Sequence, residues 1–244
     1  MKRVEIAVLG GCHIVGHPIG PAYAFPLLLS EMLGGEVVAR VPHLQFVRLP
    51  EHLADIGALR PSHVVLQFGN FEILASFRYL MHQLRRAFGP PPPAKAKGAS
   101  SPAASESAAP PPVEAATVPP PVAWPAFYAR VAGLGALLAV LWLYSPRYRR
   151  AFRALNGFMR QHPDTAFIVL APFPCLDPAD NALRRFGGRL LRRRLAALPN
   201  CHWLDAHQLL GADPKLFADR VHLNQQAHRA LAHSLAAIVL STGA

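Results

Sequence analysis

The N-terminal segment of the chain reads Val4-Glu-Ile-Ala-Val-Leu-Gly-Gly-Cys-His-Ile-Val-Gly16. Its first six residues are mostly apolar and β-branched, which predicts a buried strand, and the two glycines that follow predict a tight turn. A helical pattern comes next, at about residues 21–33. The segment therefore predicts a strand, a turn and a helix, with Cys12 just beyond the carboxyl end of the strand.

The same alternation continues along the chain. Further strands are predicted at residues 36–41, 63–68, 165–171 and 201–204. Further helices are predicted at residues 53–59, 72–88, 146–160, 184–198 and 225–240. Strands that alternate with helices predict an α/β fold, a three-layer α/β/α sandwich with a mainly parallel sheet.

A segment rich in proline and alanine interrupts this pattern at residues 90–125. Its composition cannot bury enough apolar surface to offset the conformational entropy lost on folding, so we expect a disordered insertion. The flanking parts, residues 1–89 and 146–244, are then expected to form one discontinuous domain.

An apolar segment at residues 126–145 follows the insertion, and the uncharged run at residues 131–146 is bounded by Arg130 and Arg147. Its uncharged run is shorter than the roughly 20 residues that span a bilayer. A single crossing would also separate Cys12 and Asn70 from Asp219 and His222. We therefore expect a helix that lies on its own domain as a lid or at a membrane interface, with peripheral membrane contact through residues 126–150, and ordinary core packing stays open.

The chain carries a formal net charge of +11, and its arginines cluster at residues 147–153 and 184–194. Both clusters lie in predicted helices with apolar residues at helical spacing, which favours solvated basic helix faces. Contact with an anionic lipid or polymer remains open. A nucleic-acid partner, whose binding would weaken steeply with salt, is not expected.

The three cysteines, Cys12, Cys175 and Cys201, are too few and too widely spaced to predict a disulfide framework or a zinc site. His13 and His17 flank the turn, but no carboxylate stands beside them, and two histidines alone rarely bind a metal. No metal or organic cofactor is expected. A charged residue within the first apolar run argues against a signal peptide, so we expect a reducing, cytoplasmic location.

Acyl transfer requires a nucleophile, a base, a group that orients the base, and donors for the oxyanion. The sequence offers Cys12 as nucleophile, His222 as base and Asp219, three residues earlier, as the orienting group. Asn70 follows the predicted strand at residues 63–68 and supplies an amide donor. In a parallel sheet such residues meet beyond the carboxyl ends of the strands.

At these residues the sequence resembles the SGNH (GDSL-like) hydrolases. Gly10-Gly11-Cys12-His13-Ile14-Val15-Gly16 resembles the family's first block, Gly-Asp-Ser with a later Gly, although Cys12 replaces the serine and Gly11 the aspartate. Val64-Val-Leu-Gln-Phe-Gly-Asn70 resembles the third block, with Phe68 where glycine is usual. Asp219-Arg-Val-His222 is similar to the last block, Asp-x-x-His. The second-block glycine is not found between Val41 and Phe46.

The resemblance implies hydrolysis of an ester or thioester bond in a small-molecule or lipid-like substrate. Cys12 would attack, His222 would act as base, Asp219 would orient His222, and Asn70 with the Cys12 backbone N–H would bind the oxyanion. Two alternatives stay open. The chain could be an inactive binding module for an acylated or glycan ligand or a membrane surface, or Cys12 could be an ordinary buried thiol.

Overall fold

The computed structural model describes residues 3–68, 128–129, 132–133, 135–137, 145–195 and 198–243. Three sequence predictions lie outside these residues: the oxyanion donor Asn70, the helix at residues 72–88 and the insertion at residues 90–125. Most of the apolar segment at residues 126–145 lies outside them as well. Among the described residues, no helix has the length and apolar character needed to cross a membrane.

The centre of the fold is a parallel sheet of five strands in the order β2-β1-β3-β4-β5. The strands are β1 (Glu5–Leu9), β2 (Glu36–Val41), β3 (His63–Gln67), β4 (Ala166–Leu170) and β5 (Cys201–Leu204). The predicted parallel sheet is confirmed. Because all five strands run the same way, their carboxyl ends lie along one edge of the sheet.

Helices cover both faces of this sheet. They are α1 (Phe25–Leu33), α2 (Pro50–Leu59), α3 (Pro146–Gln161), α4 (Pro178–Leu195), α5 (Ala206–Leu210) and α6 (Gln225–Thr242). Short 3-10 turns occur at Cys12–Val15, Pro21–Tyr23, Phe46–Arg48 and Pro214–Leu216.

Alternation of side chains along the strands divides the core into two layers. In β1, Ile6 and Val8 pack on the face covered by α1, α5 and α6. Ala7 and Leu9 pack on the opposite face, with α2, α3 and α4. The period of two places neighbouring residues on opposite faces of a strand, which confirms the predicted three-layer α/β/α arrangement.

Several element boundaries differ from the sequence prediction. Helix α4 begins at Pro178, six residues before the predicted start at 184, because Asp177 Oδ1 accepts the Asp180 N–H at 2.8 Å and a proline follows the capping residue. Helix α2 likewise begins earlier, at Pro50. The helix predicted over residues 21–33 is a 3-10 turn followed by α1.

Candidate active site

The turn that carries Cys12 is fixed to the end of β3 by Gln67. This side chain is 2% exposed, and its Oε1 accepts the backbone N–H of Gly11 at 2.8 Å. A Cβ on Gly10 would lie 2.7 Å from both Cβ and the carbonyl oxygen of Gln67, closer than two carbon atoms or a carbon and an oxygen can pack. The glycines therefore allow the chain to leave β1 directly against β3.

Beyond these glycines, Cys12 begins a 3-10 turn that ends at Gly16. Gly16 has a φ of 76°, in the left-handed region that favours glycine, and a Cβ there would collide with the carbonyl of Gly20. Cys12 is half-buried, in contrast to the fully buried Cys175. This geometry matches the sequence expectation of a glycine-supported turn that presents Cys12 at the carboxyl edge of the sheet.

Asp219 and His222 form a hydrogen-bonded pair in the loop before α6. His222 Nδ1 donates to Asp219 Oδ2 at 2.6 Å, and Asp219 Oδ1 accepts the N–H groups of Val221 and His222 at 2.8 Å each. Burial acts to raise the pKa of Asp219, but these hydrogen bonds outweigh it and hold the pKa below its ordinary value. The carboxylate is thus ionised and fixes the orientation of the imidazole.

Cys12 lies close enough to His222 to influence the pKa of its imidazole. Because Nδ1 is bonded to Asp219, Nε2 is the atom left to accept the thiol proton. A hydrogen bond with Cys12 is the largest cause of a raised pKa at His222, and Asp219 raises it further while burial opposes both. The structure therefore brings together Cys12, His222 and Asp219, three of the four predicted site residues.

His13 is a neighbour of the thiol, although the sequence suggested no part for it in the acyl-transfer site. Its Nε2 accepts the Leu223 N–H at 3.4 Å, so the proton of the neutral ring is on Nδ1, which lies 3.7 Å from Cys12 Sγ. Burial and the surrounding histidines and Arg184 lower the pKa of His13 well below its ordinary value. A neutral donor thus faces the sulfur. Adjacency to Cys12 was the only sequence signal for it.

Two more histidines pack around this cluster. His17 is exposed, and its ring lies edge-on to His222 with centroids 4.7 Å apart. His228 is fully buried behind His13, and its Nδ1 accepts the Phe25 N–H at 3.1 Å. No group of three or more His, Cys, Asp or Glu side chains within the described ranges is arranged to hold a metal ion.

The other two thiols differ from Cys12 in their surroundings. Burial raises the pKa of Cys175, which is fully enclosed, and raises the pKa of Cys201 to about 11. Both thiols are therefore protonated near neutral pH and are poor nucleophiles. They provide internal references for the reactivity of Cys12.

The oxyanion side of the site is described only in part. Asn70 lies outside the described residues, and within those residues nothing accepts the Cys12 backbone N–H. His43 lies in the loop after β2, where the sequence analysis found no second-block glycine. Its φ of 54° is in the left-handed region, so the backbone takes a conformation that favours glycine although a histidine occupies the position.

Comparison with known sequences gives no match: no family model matches the chain. No curated protein matches it either. Solved structures are similar to it at low sequence identity, and three of them illustrate the likeness. A protein assigned to the lipolytic G-D-S-L family from Desulfitobacterium hafniense DCB-2 has a TM-score of 0.55 and 12% identity, covering 97% of this chain and 99% of that one.

The other two similar structures are esterases by name. A family 3 carbohydrate esterase from Clostridium thermocellum has a TM-score of 0.56 and 10% identity, covering 98% of each chain. A catalytic mutant of an acetylxylan esterase from Geobacillus stearothermophilus has a TM-score of 0.53 and 15% identity, covering 97% of this chain and 94% of that one. The order of the parallel strands, the two helical layers and these likenesses together show that the chain has the SGNH-type hydrolase fold.

Proposed function

We propose that the protein hydrolyses an ester or thioester bond, with Cys12 as the nucleophile. The observation that carries this proposal is the hydrogen bond of 2.6 Å between Asp219 and His222, next to Cys12, which raises the pKa of His222. A carboxylate, an imidazole and a thiol in this order are the groups that nucleophilic acyl transfer requires. The fold of the similar esterases supports the reaction class.

The proposed reaction has two steps. Cys12 Sγ attacks the acyl carbon, its proton passes to His222 Nε2, and the leaving alcohol or thiol takes that proton as its bond to the acyl carbon breaks. Water then attacks the acyl-enzyme thioester and gives a proton to His222, which returns it to the departing Cys12 sulfur as the carboxylic acid leaves. Asp219 holds the Nδ1–H of His222 throughout and stabilises the imidazolium.

The negative charge on the acyl oxygen requires donors. The backbone N–H of Cys12 and the side-chain amide of Asn70 are proposed for this role. His13 is added as the donor that faces the sulfur, where it would favour the thiolate before attack and the same thiolate as leaving group in the second step. The proposed substrates are small-molecule or lipid-like esters and thioesters.

Hydrolysis of p-nitrophenyl acetate tests the proposal. We expect the wild-type protein to release p-nitrophenol and the Cys12→Ala and His222→Ala variants to lose this activity by roughly 100-fold or more. Cys201→Ala is the matched control, because it removes a thiol far from the site and should leave the rate unchanged. Wild-type activity that survives in Cys12→Ala would exclude Cys12 as the nucleophile.

The alternative proposal, a binding module that has lost turnover, predicts a different result. Gly11 and Phe68 differ from the family pattern at two positions, which is the observation that favours it. In that case the wild-type protein, Cys12→Ala and His222→Ala would all be inactive. A fourth protein, Cys12→Ser, would gain hydrolysis if the oxyanion site is retained. Alkylation by iodoacetamide separates the cases further, since a nucleophilic Cys12 reacts near neutral pH in a manner that depends on His222.

The remaining parts of the proposal concern the domain organisation, membrane contact and cellular compartment of the protein. We propose that residues 1–89 and 146–244 form one domain and that residues 126–150 contact a membrane surface or cover the site. We also propose a reducing compartment such as the cytoplasm, where a free thiol stays reduced. Co-sedimentation with phosphatidylcholine vesicles, with and without phosphatidylserine, measures the membrane contact. Full recovery of the protein in the supernatant at both compositions would contradict it.

A further inference from the structure

A cavity of about 420 Å³ lies beyond the carboxyl ends of β4 and β5, between α4 and α5. Neither Cys12 nor His222 nor Asp219 lines it, so it is separate from the thiol site although it lies along the same edge of the sheet. Ligands of parallel α/β sheets commonly bind beyond this edge. The cavity has three features that together define the chemistry of an occupant.

The first feature is a row of three cations. Arg185, Arg189 and Arg192 line the cavity from α4, and their spacing of four and three residues places them on one face of the helix. None of the three forms an ion pair with a carboxylate of the described residues. Guanidinium groups bind carboxylates and phosphates through paired N–H donors, so this face is suited to an anion.

The second feature is the uncharged ring of His207. This residue is 9% exposed and lines the cavity, and its Nδ1 accepts from Arg185 Nε at 3.5 Å. Burial lowers the pKa of His207 to about 4, so near neutral pH the ring is uncharged and its proton is on Nε2. That Nε2 has no hydrogen-bond partner. The uncharged ring of His207 therefore forms part of the cavity wall and leaves the arginines as the source of positive charge there.

The third feature is a flat apolar wall. Trp203 of β5 lines the cavity, and a Cβ on Gly188 would lie 4.0 Å from its Cζ2 and 3.1 Å from Pro172. The absence of a side chain at Gly188 therefore keeps the space beside the indole open. Asp205 also lines the cavity, but its Oδ1 accepts the N–H groups of His207 and Gln208, which engages its charge at the start of α5.

We propose that this cavity binds a small organic anion, whose carboxylate or phosphate contacts Arg189 and Arg192 and whose apolar part packs on Trp203. A small molecule with an anionic and an apolar part fits this cavity because the arginines of one helix face lie beside the indole of Trp203. The site does not depend on ester hydrolysis by Cys12.

Isothermal titration of the full chain with phenyl phosphate, benzoate and inorganic phosphate tests the site. The titration calorimetry is to be done with the Cys12→Ala variant, so that binding is measured without any contribution from hydrolysis by Cys12. Phenyl phosphate or benzoate should bind more tightly than inorganic phosphate because of Trp203, and the tighter of the two identifies the anionic group. Arg189→Gln and Arg192→Gln should each weaken binding by about ten-fold or more, as expected when one charged hydrogen bond is lost.

Arg193→Gln is the matched control, since Arg193 lies on the same helix, is exposed and does not line the cavity. It should leave binding unchanged. An equal loss in Arg193→Gln would mean non-specific attraction to a basic surface and would overturn the proposal, as would the absence of binding by all three probes. Proton NMR of the His207 ring gives a second readout, because a bound anion should raise the pKa of His207 from about 4.

Discussion

The backbone N–H of Gly11 lies 2.8 Å from Oε1 of Gln67, and this contact joins the turn that carries Cys12 to the last residue of β3. A Cβ at position 11 would approach the same Oε1 to 3.0 Å. Gly11, which stands where the family's first block has aspartate, is therefore held by a buried partner on the neighbouring strand.

Packing against Gln67 gives the first prediction. Gly10→Ala should lower the free energy of unfolding by about 2 kcal/mol, because the new Cβ would be forced to within 2.7 Å of Gln67 backbone and side-chain atoms. Gly157→Ala is the control: this glycine lies inside α3 with no neighbouring atom within 4 Å of the added Cβ. It should raise the same free energy by about 0.5–1 kcal/mol. Urea denaturation of both variants measures the difference, and similar effects of the two would contradict this packing.

The second prediction concerns His13 and the reactivity of the thiol. His13→Phe removes the Nδ1–H that faces Cys12 Sγ at 3.7 Å while keeping a ring of similar size. Alkylation of Cys12 by iodoacetamide at neutral pH should slow by roughly ten-fold, since a donor to the thiolate is lost.

A rescue variant sharpens this experiment. His13→Asn places an amide N–H near the position of Nδ1 and should restore part of the rate. Cys201 serves as the internal reference, because burial raises its pKa to about 11 and its alkylation should be slow in every variant. Equal rates for Cys12 in wild type and His13→Phe would show that this contact has no influence on the thiol.

The sequence predicts the fold well because the signals are local. Apolar strands such as Val64 to Gln67 and the glycine turn before Cys12 specify a buried parallel sheet without knowledge of distant contacts. The same holds for Asp219 and His222, whose spacing of three places both side chains in one turn. Those features depend on residues near one another in the chain, so a sequence pattern contains them.

The remaining features of the site depend on long-range packing. His13 meets Leu223, 210 residues away, and Gly11 meets Gln67, 56 residues away, and no spacing rule connects either pair. The basic cavity needs Arg189 of α4 beside His207 of α5, although sequence reasoning assigned the arginines to a solvated helix face. Such pairings become visible only when the strands have been placed next to one another.

The third prediction addresses the Asp219–His222 pair. Hydrogen bonding with Cys12 and with Asp219 raises the pKa of His222, so Cys12→Ala and Asp219→Asn should each lower it relative to wild type. The Cε1–H resonance of His222, followed by NMR against pH, measures this change. Asp219→Asn should also slow p-nitrophenyl ester hydrolysis by roughly 100-fold or more, because the imidazole loses its oriented carboxylate.

The raised pKa of His222 also fixes the direction of a stability effect. Its contribution to folding is fully present below pH 6.5, the ordinary value, and is lost as the pH rises through the higher value of the folded state. His222→Gln should therefore destabilise the protein more at pH 6 than at pH 9 in thermal unfolding. If the difference in melting temperature between wild type and His222→Gln instead grew with pH, the stabilising pairing of His222 with Asp219 and Cys12 would be contradicted.

The fourth prediction is acid sensitivity caused by buried histidines. Burial lowers the pKa of His228 to about 4, and its Nε2 has no partner, whereas in the unfolded chain the group titrates near 6.5. Between these values the unfolded state binds a proton that the native state does not, so stability falls as the pH drops from 6.5 to 4. The loss from His228 is on the order of 2–3 kcal/mol at pH 4.

His228→Gln should remove this part of the pH dependence, because an amide can still accept the Phe25 N–H but does not titrate. Its unfolding free energy, measured in urea at pH 6.5 and pH 4.5, should change less than that of wild type. His233→Gln is the matched control on the same helix, since His233 is exposed and its replacement should leave the wild-type slope intact. If both variants kept the wild-type slope, His228 would have to be protonated already in the folded state, and the neutral ring stacked behind His13 would be excluded.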